Sequence, residues 1–312
     1  MMCPICAATG DWPARCELTL GNETRYDLMK CGACGTSFCH PLPADEDLAR
    51  FYSASYYDFD PDRERGKGMA FARHLSRIAP TGRFLDVGCA TGFFIDGIRN
   101  HSRWAVSGID LGESAVRHAR DTLGLDVRLG ELQESDFDDR SFDYIHVNNV
   151  LEHVRDPVAL LRACRRLITG TGRMHLSVPN GANDVLTLVA YHRQEEMPAF
   201  SHKGHIYFFP AGALLRMIAD AGFTIERRRT HGFKRGLRNA GILPRKRGWK
   251  AAHRPRALEP ATGGAVKPAP RGRARPDIYY RWRFLSGRWS MVPGLHRYGL
   301  DFHFLLRPAR RG

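Results

Sequence analysis

Apolar residues along this 312-residue chain change period repeatedly, and each change marks an element. From Phe84 to Val87 three apolar residues surround one acid, the dense run of a buried strand; small residues follow, and Phe94 and Ile98 then recur at helical spacing. The same succession returns downstream. Trp104 to Ile109 reads as a strand ending at Asp110, and Val116, Ala119 and Leu123 line one face of the helix after it. Leu125 to Leu129 is a short third strand. Asp156 and Pro157 supply an N-cap and a first-turn proline for a helix that buries Leu160, Cys164 and Leu167. Met174 to Val178 is a further strand, and Leu214, Met217, Ile218 and Ala221, closed by Gly222, form a helix before the strand Phe223 to Glu226. Upstream, Met69, Phe71, Ala72, Leu75 and Ile78 predict a helix from Met69 to Ala79. Strands alternating with helices predict an α/β, doubly wound parallel sheet, whose ligands bind at the carboxyl ends of its strands.

Composition changes this picture little. A 43% hydrophobic fraction is ample for a packed core, and the length suggests about two domains. No run approaches the roughly 18 apolar residues of a membrane span, and no basic stretch followed by an apolar one opens the chain at Met1. The expected location is cytoplasmic, where eight cysteines point to metal ligation or burial rather than to disulfides. The net charge of +14 is unevenly placed: residues 227–312 hold 23 Lys and Arg against 3 acids, so the first 226 residues are net negative.

The cysteines add a second module. Cys3 and Cys6 form one C-x-x-C knuckle; Cys31 and Cys34, followed at once by Gly35, form another after a gap of 24 residues. Such a pair can set four thiolates tetrahedrally around Zn²⁺, with the long gap absorbed by a hairpin. Cys16, Cys39 and His40 are spare donors, and metal-free or redox-active thiols are the other reading. Some forty residues cannot bury enough core to stand alone, so a metal there would serve folding.

The turn after Val87 is a ligand platform, because an acid two residues before a glycine turn lets a ligand lie against bare backbone. The dinucleotide fingerprint would need Gly at 88, 90 and 93, and the chain has Gly88, Ala90 and Phe93, which disfavours a nicotinamide or flavin. Asp86, Gly88, Ala90 and Gly92 instead resemble the D-x-G-x-G-x-G motif of class I S-adenosylmethionine (SAM) methyltransferases, with Ala90 departing from it. Another α/β turn is the alternative reading. Asp110, at the tip of the second strand, stands where that family uses an acid for the ribose hydroxyls; a helix N-terminal role is its bland counterpart. Residues 141–157, SFDYIHVNNVLEHVRDP, resemble the family's fourth strand and its sequel. Tyr298 to Leu306 fits the seventh, antiparallel strand with which the family closes its Rossmann-like seven-stranded sheet.

The resemblance implies a cofactor shell of Asp86, Gly88, Cys89, Gly92, Asp110, Leu111, Glu131, Leu132 and Asn148. It also implies a layout: a zinc-ribbon-like segment over 1–42, a Tyr-rich connector or lid over 43–68, a SAM-binding domain over 69–233, a basic Pro- and Gly-rich insertion over 234–297, and the final strand and tail over 298–312. The connector's aromatics, Phe51, Tyr52, Tyr56 and Tyr57, either cap the ligand or dock the connector on the domain.

Methyl transfer from a sulfonium expels a neutral leaving group, so catalysis is mostly positioning, and a base is needed only for a protonated acceptor. Glu152, His153, His202 and His205 are the candidates, with His205 preferred; for Glu152 and His153 the alternative is a structural role at a helix start. In quinone-biosynthesis O-methyltransferases the matching region binds a divalent metal through E-x-x-E-H, whose first acid is Asn149 here. The resemblance therefore does not carry that metal dependence over to this chain. The layout looks like bacterial methyltransferases of small molecules, sugars or glycans, acting at oxygen or carbon. An RNA methyltransferase is the alternative, through the basic insertion and the YYRWRFLSGRWS stretch at 279–290, although Asn148 to Leu151 is not the N-P-P-Y motif of amino-group nucleic-acid methylases. A noncatalytic SAM-fold binding module is the third reading.

Overall fold

The computed structural model describes residues 1–20, 24–53, 60–133, 136–185, 204–232, 236–237, 242 and 299–309. In chain order, the first elements are β1 (Glu17–Leu20), β2 (Thr24–Lys30), β3 (Ser37–His40), α1 (Asp45–Ser53) and α2 (Pro61–Ile78). Next come β4 (Arg83–Val87), α3 (Phe93–Arg99), β5 (Ala105–Asp110), α4 (Glu113–Arg117, continuing as a π turn, His118–Thr122) and β6 (Asp126–Leu129). The remainder is β7 (Phe142–Asn148), α5 (Pro157–Leu167), β8 (Ile168–Pro179), β9 (Tyr207–Phe208), α6 (Ala211–Asp220), β10 (Phe223–His231) and β11 (Asp301–Pro308). Seven of the strands make one mixed sheet. The chain divides into two compact units: a ribbon unit of residues 1–51, 132–246 and 287–312, and a glycine-turn unit of residues 52–131 and 247–286.

In the glycine-turn unit β4, β5 and β6 are parallel, with Asp86 opposite Gly108 and Ile109 opposite Arg128. Phe84, Leu85, Ile95, Ile98 and Ile109 form its core. Helix α2 begins eight residues before Met69. Asp60 caps it by accepting the N–H groups of Asp62 and Arg63, and Pro61 takes the first helical position. The charged PDRERGKG stretch shows no apolar repeat, which is why the pattern alone placed the start too late. Helices α2 and α3 touch backbone to backbone: a Cβ on Gly68 would lie 2.0 Å from the Phe94 carbonyl oxygen, and one on Gly97 2.4 Å from that of Arg65. Buried Asp96 ties the crossing, bound by Arg65 Nε at 2.9 Å and Arg99 Nη2 at 2.7 Å, and the Arg65 guanidinium lies 4.8 Å over the Phe93 ring.

In the ribbon unit the strands run β10-β11-β8-β7, with β7 and β8 parallel and β11 antiparallel to both its neighbours, as expected of the closing strand. Phe302, Phe304 and Leu306 of β11 point into the core while Asp301, His303 and Leu305 alternate with them. Strand β10 runs on past Glu226 because β11 pairs with it as far as His231, and β8 starts six residues before Met174, where β7 pairs with Ile168 and Arg173. A second sheet, β1-β2-β3-β9, opens with the hairpin that spans the gap between the cysteine knuckles. Its fourth strand, from a distant part of the chain, was not predicted. The expected connector contains α1 and the start of α2. His202, Tyr56, Tyr57 and nearly all of the basic insertion lie outside the described residues.

Candidate functional site

Three residues of the glycine turn hold left-handed backbone: Gly88 at φ 75°, Ala90 at 49° and Gly92 at 82°. Only glycine adopts this conformation without cost, and Ala90 gives up about 1–2 kcal/mol to do so. Asp110 compensates. Its Oδ2 accepts the Ala90 N–H at 2.8 Å and its Oδ1 the Gly112 N–H at 2.8 Å, so one carboxylate fixes the turn after β4 and the start of α4. Gly88 and Cys89 donate to the Ile109 carbonyl, and Gly130 to that of Asp110, which draws Glu131 toward the same tip. The helix N-cap is Gly112, so Asp110 is a lock on two turns rather than a cap. Asp86 is buried at the end of β4, and burial, then the neighbouring carboxylates of Asp110 and Glu64, hold its carboxyl well above the usual range. Asp86, Gly88, Cys89, Gly92, Asp110, Leu111 and Glu131 thus belong to one unit; Leu132, buried, and Asn148, exposed at the end of β7, belong to the ribbon unit.

Within the ribbon unit Glu152, His153 and His205 come together, their ligand atoms within 4.8 Å of one another. The helix-start role does not hold: α5 begins at Pro157, and Glu152 and His153 sit in the turns before it. Glu152 is 1% exposed, neither carboxylate oxygen finds a hydrogen-bond partner among the described residues, and Oε1 lies 3.6 Å from His153 Nε2 and 3.9 Å from His205 Nε2. Burial, then Asp184 and Asp301, push its carboxyl well above the usual range. His153 Nδ1 lies 3.1 Å from the Gly204 carbonyl, which can only accept, so that nitrogen carries the proton. The two rings meet edge to face with centroids 4.8 Å apart, and His205 Nδ1 faces Asp184 Oδ2 at 3.6 Å. Ile206 and Tyr207 both donate to the Glu152 carbonyl, fastening the two segments.

The ribbon holds the segment carrying His205. Ser37 pairs with Phe208 and Phe38 with Tyr207, and Cys39 donates its N–H to the Ile206 carbonyl at 2.9 Å. The four predicted cysteines converge, with Cys3 and Cys34 sulfurs 3.8 Å apart and those of Cys6 and Cys31 3.7 Å apart. A tetrahedron with metal–sulfur bonds of about 2.3 Å has edges of about 3.8 Å. The four thiols therefore fit a zinc ion. Cys16, Cys39 and His40 are not part of the cluster. Burial opposes the Cys31 thiolate, but the N–H groups of Cys34 and Ala33 together with the Cys3 and Cys6 thiols outweigh it and bring the thiol down to about 7.

A family model described as “Methyltransferase domain” matches residues 59–227. The chain belongs to this family. Among curated relatives, the ubiquinone biosynthesis O-methyltransferase of Neisseria meningitidis serogroup A is 30% identical over 155 residues, 46% of this chain and 64% of that protein. A probable S-adenosylmethionine-dependent methyltransferase of Mycobacterium tuberculosis, Rv3030, is 29% identical over 160 residues, 49% of this chain and 55% of that protein. The chain thus spans less than two thirds of these relatives. Among solved structures, the [4+2]-cyclase SpnF aligns with a TM-score of 0.52 at 16% identity, covering 87% of this chain and 99% of that one. That likeness speaks to the fold alone.

Two residues within the methyltransferase domain carried no sequence signal. Asp184 meets His205 only through the fold, and Gly181 is required because a Cβ there would lie 2.1 Å from the Phe208 carbonyl carbon. Among the described residues no helix is long and apolar enough to cross a membrane.

Proposed function

We propose that this protein transfers the methyl group of SAM to oxygen or carbon of a small-molecule, sugar or glycan acceptor. The observation that carries the reading is Asp110, which locks the glycine turn from the tip of the neighbouring strand. A carboxylate offers about four acceptor sites, so one group can hold the turn and receive ribose hydroxyls as well. Asp86, Gly88, Cys89, Gly92, Leu111 and Glu131 complete the proposed cofactor shell within the glycine-turn unit, and Leu132 and Asn148 of the ribbon unit are assigned to the cofactor from the family resemblance alone. SAM supplies an electrophilic methyl group: the acceptor atom bonds to the methyl carbon as the carbon–sulfur bond breaks, and the electron pair stays on sulfur. The acceptor's proton is assigned to the cluster of Glu152, His153 and His205, with His205 the base where one is needed. Relatives named for ubiquinone biosynthesis support a small acceptor. Cys3, Cys6, Cys31 and Cys34 are assigned to a structural zinc, which would hold the strand that pairs with Tyr207 and Phe208.

Incubation with methyl-labelled SAM and fractionated cell extract tests the reading. Label is expected in the nuclease-resistant, low-molecular-weight or glycan fractions; label confined to RNA would favour the reading drawn from the basic residues 227–312.

A further inference from the structure

A buried carboxylate has two ways to settle, a proton or a cation. The surroundings of Glu152 favour a cation. Among the described residues neither of its oxygens finds a hydrogen-bond partner at 1% exposure, and Asp184 and Asp301 add negative potential to the same place. The separations of 3.6 and 3.9 Å from Oε1 to the two imidazole Nε2 atoms are too long for hydrogen bonds. They lie near the edge of about 3.4 Å expected between donors that each sit about 2.1 Å from one tetrahedral ion.

The supporting contacts have the form that metal-binding histidines need. The Gly204 carbonyl fixes the proton of His153 on Nδ1 and leaves Nε2 as the lone-pair donor toward Glu152. The Asp184 carboxylate faces Nδ1 of His205, which favours the same tautomer. The backbone bonds from Ile206 and Tyr207 to the Glu152 carbonyl hold the donors of both segments at fixed separation.

We propose that Glu152 Oε1, His153 Nε2 and His205 Nε2 bind one divalent transition-metal ion. Two imidazoles and a carboxylate suit zinc, cobalt, nickel or ferrous iron, and not magnesium or calcium, which require oxygen donors. The set is not the acid-rich E-x-x-E-H arrangement: Asn149 stands at its first acid and turns its N–H to the Ser177 carbonyl, while the third donor comes from residue 205, some fifty positions on. The role of the ion rests on the proposed methyl transfer. Bound to His205 Nε2, it would replace the free base by polarising an acceptor oxygen.

The test uses full-length protein whose cysteine cluster is already loaded with zinc, titrated with Co²⁺ and followed by visible absorption and elemental analysis. One further equivalent is expected, with the spectrum of a nitrogen- and oxygen-ligated ion rather than of thiolate ligation. Glu152→Gln, which preserves shape, and His205→Asn should each weaken it by more than the roughly hundred-fold that loss of an outer-shell partner costs, while melting cooperatively. A wild-type protein that takes up no ion beyond the thiolate site would overturn the proposal. So would variants that bind cobalt as tightly as wild type, or magnesium binding as tightly as cobalt. Methyl transfer is not the readout, so failure here leaves the proposed reaction standing, and failure of the reaction leaves the site standing.

Discussion

Replacing Asp110 by Ala removes two charge-assisted hydrogen bonds at once, those from the Ala90 and Gly112 N–H groups, each 2.8 Å long. Hydrogen bonds to charged groups contribute about 1.5–3 kcal/mol each. Ala90 is half-buried, so its N–H can be rehydrated and part of its loss recovered; Gly112 is buried, so its N–H is left unsatisfied. The expected loss in protein without ligand is about 2–4 kcal/mol, or about 5–15 °C in melting temperature for a domain of this size. The left-handed backbone at Ala90 loses its tether too, so the turn that should receive SAM becomes mobile. Calorimetric titration should show SAM affinity weaker by about ten-fold or more. Asp110→Asn keeps one acceptor oxygen and should fall between Ala and wild type in both measurements. An Asp110→Ala protein that melts with wild type and binds SAM within about two-fold of it would refute both the lock and the ribose assignment.

Gly97→Ala should destabilise the protein by about 1–3 kcal/mol, because the added Cβ would meet the Arg65 carbonyl oxygen at 2.4 Å, although helix propensity alone favours alanine by about 1 kcal/mol. A higher melting temperature would contradict the close helix crossing. Asp86→Asn should raise the melting temperature of the ligand-free protein at pH 8 and leave it nearly unchanged near pH 4. The buried carboxyl has its folded-state pKa raised, so its contribution is complete below about 3.9 and lost as pH rises through the folded value. A variant equally destabilised at both pH values would rule this out. Cys31→Ser should abolish binding of the proposed zinc and speed hydrogen exchange in residues 24–40 and at Tyr207 and Phe208, which pair with β3, while peptides covering β4 and β5 stay protected. Unchanged exchange at Tyr207 and Phe208 would show that the ribbon does not hold that segment.

The parts of this molecule that were legible in its sequence are those governed by local rules. The dense run of β4 and the proline-led start of α5 are short-range patterns, β11 was placed through the family resemblance, and the paired knuckles announce their own chemistry. Asp86, Gly88 and Gly92 could be placed because a glycine turn between a strand and a helix leaves a local signature. What escaped depends on distant chain segments meeting. Nothing near Ser37 says that it will pair with Phe208, and nothing around Gly68 or Gly97 says that two helices must touch there. Glu152 could be read equally as a structural helix-start residue; only the fold surrounds it with His205 and Asp184. Ala90 departs from the glycine motif, and its tolerance becomes intelligible once the Asp110 carboxylate is seen holding its N–H.

Methyl transfer itself is the most direct test. Purified protein, labelled SAM and extract fractions with and without nuclease should place label in a nuclease-resistant small-molecule or glycan fraction, in an amount that falls at least ten-fold with Asp110→Ala at subsaturating SAM. Label only in nuclease-sensitive material, or transfer that Asp110→Ala leaves unchanged, would contradict it.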